Sequence, residues 1–373
     1  MERRDASVIS TYCPSTRSAQ RMRELRAPAE STLSPFSCCT NLHHLVRRPS
    51  QPCPTCSAQP RTMASSIKDC DCGFTDSHDP TKSTFTSFLA VNFSSVSRQR
   101  LDSLFIPASY AINPRNLPYS RNFSTNQVRL SQAGLDLVVS PPESGKVPCG
   151  QIFTRAATFF YGSYHARIRL GDVPGTVTAL FNYKNDSSEV DIEVLSAWKD
   201  PTLLYTVKPQ LYLNNGNPAN STYQREAWNG TASSLTKDFH DWSFVWLPDI
   251  VHFGLDADYS RSITTNVPQA PGRLALSHWS DGNPKYSLGP PIEPSTATVS
   301  FLWAVYNDVN ASAVTCKVTS SPCIITDGVL QTDQISDGGD ANDGTIVVNS
   351  GQSAGSLPSS LLLVIFFFSW LFV

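Results

Sequence analysis

Between Ser188 and Ser196 three acidic side chains alternate with three branched aliphatic ones, as Glu189-Val190-Asp191-Ile192-Glu193-Val194. A period of two is that of a β-strand, whose successive side chains leave on opposite faces. Val190, Ile192 and Val194 therefore enter a core together, and Glu189, Asp191 and Glu193 share the other face. Each buried aliphatic side chain contributes roughly 1.5–3 kcal/mol. A slip of one residue would drive all three acids into the core, so the register is firmly set. Three carboxylates side by side repel one another. A chain that places them so uses them, binds a cation with them, or leaves them on a solvated sheet face.

From residue 68 to residue 327 the sequence reads as short strands broken by Pro, Gly, Asn and Asp, with no long stretch at the 3.6-residue period of an amphipathic helix. Tyr164, Ala166, Ile168 and Leu170 alternate with His165, Arg167 and Arg169, the pattern of a half-buried strand. Trp242, Phe244 and Trp246 repeat it, as do Val299, Phe301, Trp303 and Val305. Pro248-Asp249 marks a turn, which predicts a hairpin of Phe244–Trp246 with Val251–Leu255. Such hairpins stack into an all-β, two-sheet antiparallel sandwich. A chain of 373 residues has room for one large β domain or two ordinary ones.

Composition narrows the setting. The formal charge of −2 and the absence of a basic stripe argue against a nucleic-acid partner. Six Asn-X-Ser/Thr acceptors, at Asn92, Asn122, Asn185, Asn220, Asn229 and Asn310, point to the secretory route. Five cysteines (Cys70, Cys72, Cys149, Cys316 and Cys323) lie in or beside the domain, an odd number that leaves one unpaired. Cys316 and Cys323 flank a short loop and are placed to close on each other, with Cys149 reaching back to Cys70 or Cys72. Cys53 and Cys56 resemble half a zinc site, but no second pair follows, so no metal is expected.

The ends differ from the middle. Residues 1–67, rich in Arg, Ser, Pro and Cys, read as a disordered extension or as sequence ahead of a true start at Met63. Residues 328–350 form an Asp/Gly/Ser-rich linker, and 351–373 end in the apolar run Leu361 to Val373. That run is short for a membrane span and fits a removable glycolipid-anchor signal, with attachment near Asn349, Ser350 and Gly351 or near Ser353, Ala354 and Gly355. The expected place is the cell surface or cell wall, tethered to the plasma membrane, and the expected state is a monomer.

The chemistry that suits the carboxylate strand is retaining glycoside hydrolysis, in which one carboxylate attacks the anomeric carbon and a second protonates the leaving oxygen. Backbones four positions apart on a strand are roughly 13 Å apart. The two long Glu side chains must therefore lean toward each other. Asp191 between them holds a proton and pushes the outer pKa values apart.

The segment resembles glycoside hydrolase family 16, whose signature is Glu-X-Asp-X-Glu on one strand of a concanavalin-A-like β-jelly-roll. Tyr161 to Leu170 with Val173 to Thr176, Phe239 to Asp249, and His278 to Pro284 with Gly289 to Pro291 extend the resemblance to fungal members over about residues 150–307. It implies Glu189 as nucleophile, Glu193 as general acid/base and Asp191 as the assisting residue, with no cofactor. It also implies that Trp279 stacks on a sugar ring, with Tyr212, Tyr286 and His278 completing the substrate-binding set, while Trp242, Trp246 and Trp303 read as core. Asn182 and Lys285-Tyr286 depart from the residues expected of relatives. The implied partner is β-glucan, cleaved at β-1,3 or mixed linkages. Transglycosylation on the same intermediate, and a non-catalytic lectin-like role on the same sandwich, are the alternatives.

Overall fold

The carboxylate strand, Ser188–Leu195, lies inside a sheet, antiparallel to Val177–Asn185 on one side and to Thr202–Lys208 on the other. The computed structural model describes residues 70 and 72–349 apart from 114–115, 198–201, 229, 231, 313, 315, 317–320 and 331–344. Within it this sheet runs Tyr223–Ala227, Thr202–Lys208, Ser188–Leu195, Val177–Asn185, Arg273–Trp279, Lys146–Thr154, Ser120–Phe123 and Tyr110–Ile112, with Phe105–Pro107 also on Lys146–Thr154. Of these pairings only Ser120–Phe123 with Lys146–Thr154 is parallel.

A second sheet runs Asp258–Ile263, Val251–Leu255, His240–Trp246, Phe159–Arg169, Ser295–Asp308, Ser87–Asn92 and Thr345–Asn349, with Gly134–Val139 and Val128–Ser131 continuing from one end of Ser295–Asp308. The result is the all-β two-sheet sandwich expected from the alternation, in the jelly-roll form that the family resemblance implies. The hairpin over Pro248-Asp249 forms as predicted, pairing His240–Trp246 with Val251–Leu255. The segment 1–67 and the tail 351–373 lie outside the described residues. Within the stretch read as linker, Val329–Leu330 and Thr345–Asn349 are strands.

Between the sheets Val190, Ile192 and Val194 meet Tyr164, Trp242, Phe244 and Trp246, all at most 1 % exposed. Buried aromatic area of this kind dominates core energetics. One alternation reads differently in the fold. Val299 joins this core, whereas Phe301, Trp303 and Val305 face outward, because an irregularity in register between Val299 and Phe301 turns the strand over.

That outward face is itself covered. Phe74–Asp76 lies parallel to Cys323–Thr326, so the two ends of the domain run side by side and are clipped by Cys70–Cys323 and Cys72–Cys316. This corrects the pairing expected from loop length: Cys316 and Cys323 do not join, and among the described cysteines Cys149 is the unpaired one, buried on the face of the other sheet. Linear proximity of two cysteines could not reveal a parallel strand pair formed across about 250 residues.

Under the clipped ends sits His165, which the alternation places outward and the structure buries. Its Nε2 is 3.0 Å from Asp76 Oδ2, its Nδ1 is 2.8 Å from Asp241 Oδ1, and Trp303 stacks on the ring at 3.8 Å. Ser163 Oγ donates to Asp76 Oδ2. Burial opposes charge on the imidazole, but Asp241 and then Asp76 override it and push the pKa up to about 9. Burial likewise opposes charge on Asp76, yet the bond and charge of His165 hold its pKa below the ordinary value.

The imidazolium therefore stabilises the fold fully below its unfolded pKa of about 6.5, and this contribution is lost as pH rises through about 9. The expected loss is on the order of 3 kcal/mol. Chemical unfolding of the full chain at about pH 6 and about pH 9.5 measures it. Asp241→Asn should be less stable at the lower pH and lose less on going to the higher one; equal losses in both proteins would refute the assignment.

Candidate active site

Antiparallel pairing sets each acid beside a defined neighbour. Glu189 stands opposite Lys208, Asp191 opposite Thr206 and Glu193 opposite Leu204, while Tyr183, Phe181 and Ala179 flank them from the other side. All three acids project from the sheet face away from the core, as the alternation requires. The surrounding floor is apolar: Leu204, Tyr223, Val177, Leu195, Phe123, Cys149 and Trp279 cluster there.

The three carboxyl groups have different surroundings. Glu189 Oε2 is 2.5 Å from Lys208 Nζ, which sets an ammonium against the carboxylate. Burial works against the charge on Lys208, but Glu189, Asp191 and Glu193 overcome it and raise the lysine pKa. Asp191 is 5 % exposed, and its Oδ1 has no hydrogen-bond partner among the described residues. Burial, then the charges of Glu193 and Glu189, lift its pKa well above the ordinary carboxyl value, which favours its protonated form. Burial also raises the pKa of Glu193, and Glu189 adds to this, while a hydrogen bond from Tyr286 and the charges of Lys208 and Arg121 pull it back. Tyr286 donates its hydroxyl to Glu193 Oε2.

One strand face thus carries an ion-paired carboxylate at one end, and in the middle and at the other end carboxyls biased toward their protonated forms. That division separates a nucleophile from a proton donor.

The expected substrate-binding residues fare unequally. Trp279 lies on the carboxylate face, but it is only 8 % exposed, with the Arg121 guanidinium 4.2 Å from its ring centroid and Tyr286 stacked at 6.1 Å. Its ring supports Tyr286 and Arg121, and a sugar has little of it to stack on. Tyr286 reaches the site, as a partner of Glu193.

His278 points the other way, because Trp279 and its neighbour must leave the strand on opposite faces. It is buried in the sandwich with Nδ1 2.9 Å from Thr178 Oγ1 and Nε2 3.2 Å from Ser295 Oγ, and burial drives its pKa down to about 3. It offers nothing to a substrate. Tyr212 is exposed between Leu211 and Leu213, with its hydroxyl donated to Gln210 rather than to a carboxylate.

Sequence reasoning missed Lys208, Thr206 and Arg121. The first two had a signal: in Thr202–Lys208 the residues Leu204, Thr206 and Lys208 alternate with apolar ones, so a lysine closes the face that pairs with the acids. Arg121 sits on a short strand four pairings from the carboxylate strand in the sheet order, and no local pattern ties it to Trp279. Among the described residues no group of three or more His, Cys, Asp or Glu is arranged to hold a metal ion.

Residues 118–302 match the family model of glycosyl hydrolases family 16. Over 161 residues the chain is 29 % identical to a beta-glucanase of Acetivibrio thermocellus, covering 41 % of this chain and 45 % of that protein. Over 138 residues it is 29 % identical to Crh-like protein 5 of Aspergillus fumigatus, covering 35 % of this chain and 33 % of that protein. The match therefore spans less than half the length of either relative. Among solved structures, a Bacillus licheniformis beta-glucanase superposes with a TM-score of 0.48 at 20 % identity, over 60 % of this chain and 99 % of that one.

The charge of Lys208 favours loss of protons from Asp191 and Glu193. Lys208→Met should therefore move the carboxyl titrations of both to higher pH, by about one unit, with Lys208→Arg close to the parent. Carbon-13 NMR of the side-chain carboxyls reads this directly, and titrations that coincide in parent and Met variant would contradict it.

Proposed function

As the chain carries a glycosyl hydrolase family 16 domain, we propose that it is a retaining endo-glycosidase cleaving β-1,3 or mixed-linkage β-glucan through Glu189 and Glu193. The observation that carries this reading is the unequal state of the carboxyls on one strand face: Glu189 paired with Lys208, and Glu193 biased toward holding a proton. Glu189 attacks the anomeric carbon while Glu193 gives its proton to the glycosidic oxygen, and the bond to the leaving sugar breaks with its electron pair on that oxygen. Glu193, now a carboxylate, takes a proton from water, whose oxygen displaces Glu189. The upward shift of Asp191 favours its neutral form, which limits the negative charge between the two.

The relation to a beta-glucanase supports the substrate class. A sugar hydroxyl can replace water in the second step without any change in the protein's roles, so transfer between glucan chains is the neighbouring reading. Secretion is supported by two inter-terminal disulfides and by exposed acceptors at Asn92, Asn185, Asn220 and Asn310. Tethering at the cell surface by a glycolipid rests on the pattern of residues 349–373.

With laminarin, barley β-glucan and chitin oligosaccharides as substrates, the full chain should release or lengthen β-glucan oligosaccharides. Lengthened products would identify transfer. Glu193→Gln should lower turnover by about 10²–10⁴-fold and Glu189→Gln by at least as much. Binding of glucan without turnover in parent and variants alike would sink the enzyme reading in favour of a lectin-like one.

A further inference from the structure

Glu193 has one contact that its role as proton donor does not by itself require. The loop from Trp279 to Leu288 returns over the carboxylate face and places Tyr286 against it. This return is built from several directions. Asp281 Oδ1 accepts bonds from the Asn283 amide and from Ser287 Oγ, both at 3.0 Å, and its Oδ2 lies 3.8 Å from Arg121 Nε. The Tyr286 and Leu288 amides both donate to the Asn283 carbonyl, at 3.1 and 2.9 Å. Gly282 has φ +69°, and a Cβ there would stand 2.6 Å from Tyr119 Cδ2, so only glycine allows the loop to turn so close to that ring. Trp279, held under Arg121, then stacks on Tyr286. The phenol is fixed on both sides before it meets the carboxyl.

We infer that Tyr286 is a positioning residue for the general acid/base: its hydroxyl, bonded to Glu193 Oε2, orients the carboxyl so that Oε1 carries the catalytic proton and stabilises the carboxylate left when that proton departs. The inference rests on the proposed role of Glu193. In glycosylation the proton passes from Oε1 to the glycosidic oxygen, the negative charge spreads over both Glu193 oxygens, and Tyr286 keeps its own proton while its bond to Oε2 becomes charge-assisted. Burial, then Glu193, raise the Tyr286 pKa well above the ordinary phenol value, so the hydroxyl remains a donor throughout the working range. The same bond opposes the second step, in which Oε1 must take a proton back. Tyr286 thus shifts effort from deglycosylation to glycosylation.

The groups that act on Glu193 are Glu189 and Asp191 on its own strand, Lys208 on the next, Tyr223 on the strand beyond, and Arg121 and Tyr286 from across the face. Of these, Tyr286 is the one that touches Oε2 with a neutral donor. Its removal should change the proton affinity of Glu193 without altering the net charge of the site.

The test compares the full chain with Tyr286→Phe, which keeps the stack on Trp279 and removes the hydroxyl. Glu193 must be protonated for glycosylation, so kcat/KM falls as pH rises through its pKa. Loss of a bond that favours the carboxylate raises that pKa. The alkaline limb of kcat/KM on β-glucan should move up by about one pH unit, and kcat/KM at lower pH should fall about tenfold. A β-glucan oligosaccharide with a dinitrophenyl leaving group needs little protonation, so its kcat/KM should change less than about twofold; a loop that had merely lost its structure would impair both substrates equally. Carbon-13 titration of the Glu193 carboxyl should show the same upward shift in protein without substrate. An unmoved alkaline limb together with an unmoved titration overturns the inference. If the parent turns over none of the glucans, the enzyme reading fails, and the titration alone still decides whether the phenol governs Glu193.

Discussion

Burial of Val190, Ile192 and Val194 is the constraint on which the rest of the site depends. Their removal from water holds the strand in one register, and that register puts Glu189, Asp191 and Glu193 on a common face at fixed spacing. The repulsion among the acids is then a problem the surrounding elements must solve. They solve it unequally, with an ammonium from the neighbouring strand at Glu189, burial that favours the protonated form at Asp191, and a phenol from a distant loop at Glu193. The inequality is what makes the face chemically useful, since three equivalent carboxylates would titrate together and separate no acid from a base.

The outer face of the other sheet presents the same problem with a different outcome. Asp76 and Asp241 approach one another around His165, and an imidazolium between them offsets one of their two charges under a lid of Phe74–Asp76, Cys323–Thr326 and Trp303. There the charges are closed in and serve to fasten the two ends of the domain to the sandwich, reinforced by two disulfides. On the carboxylate face the cover is partial, and the acids at either end of the trio keep some exposure. Closed ion networks hold structure, while a partly open one leaves oxygens to react.

Much of this is legible along the chain because a β-sandwich writes its faces into a two-residue period. The core roles of Trp242, Phe244 and Trp246, the hairpin over Pro248-Asp249 and the common face of the three acids all follow from alternation. The failures come where alternation stops being local information. The irregularity at Val299 to Phe301 exchanges faces within one strand and sends Trp303 to the outer layer. The disulfides follow a parallel pairing of the domain ends that linear spacing does not encode. His278 and Trp279 are neighbours in sequence, yet the pleat sends one into the core and the other to the site, so both could not serve a substrate.

The amino-acid order by itself determined that the chain forms strands, which side chains share a face wherever a strand is regular, and which three carboxyls stand together, because each follows from the geometry of a single strand. Tertiary structure alone decided which of those carboxyls is ion-paired, which is most deeply buried and which is held by a phenol. A proton's affinity depends on charges and donors within a few ångströms, and here Lys208, Arg121 and Tyr286 are brought to that distance by sheet pairing and loop return across as many as 93 residues of chain.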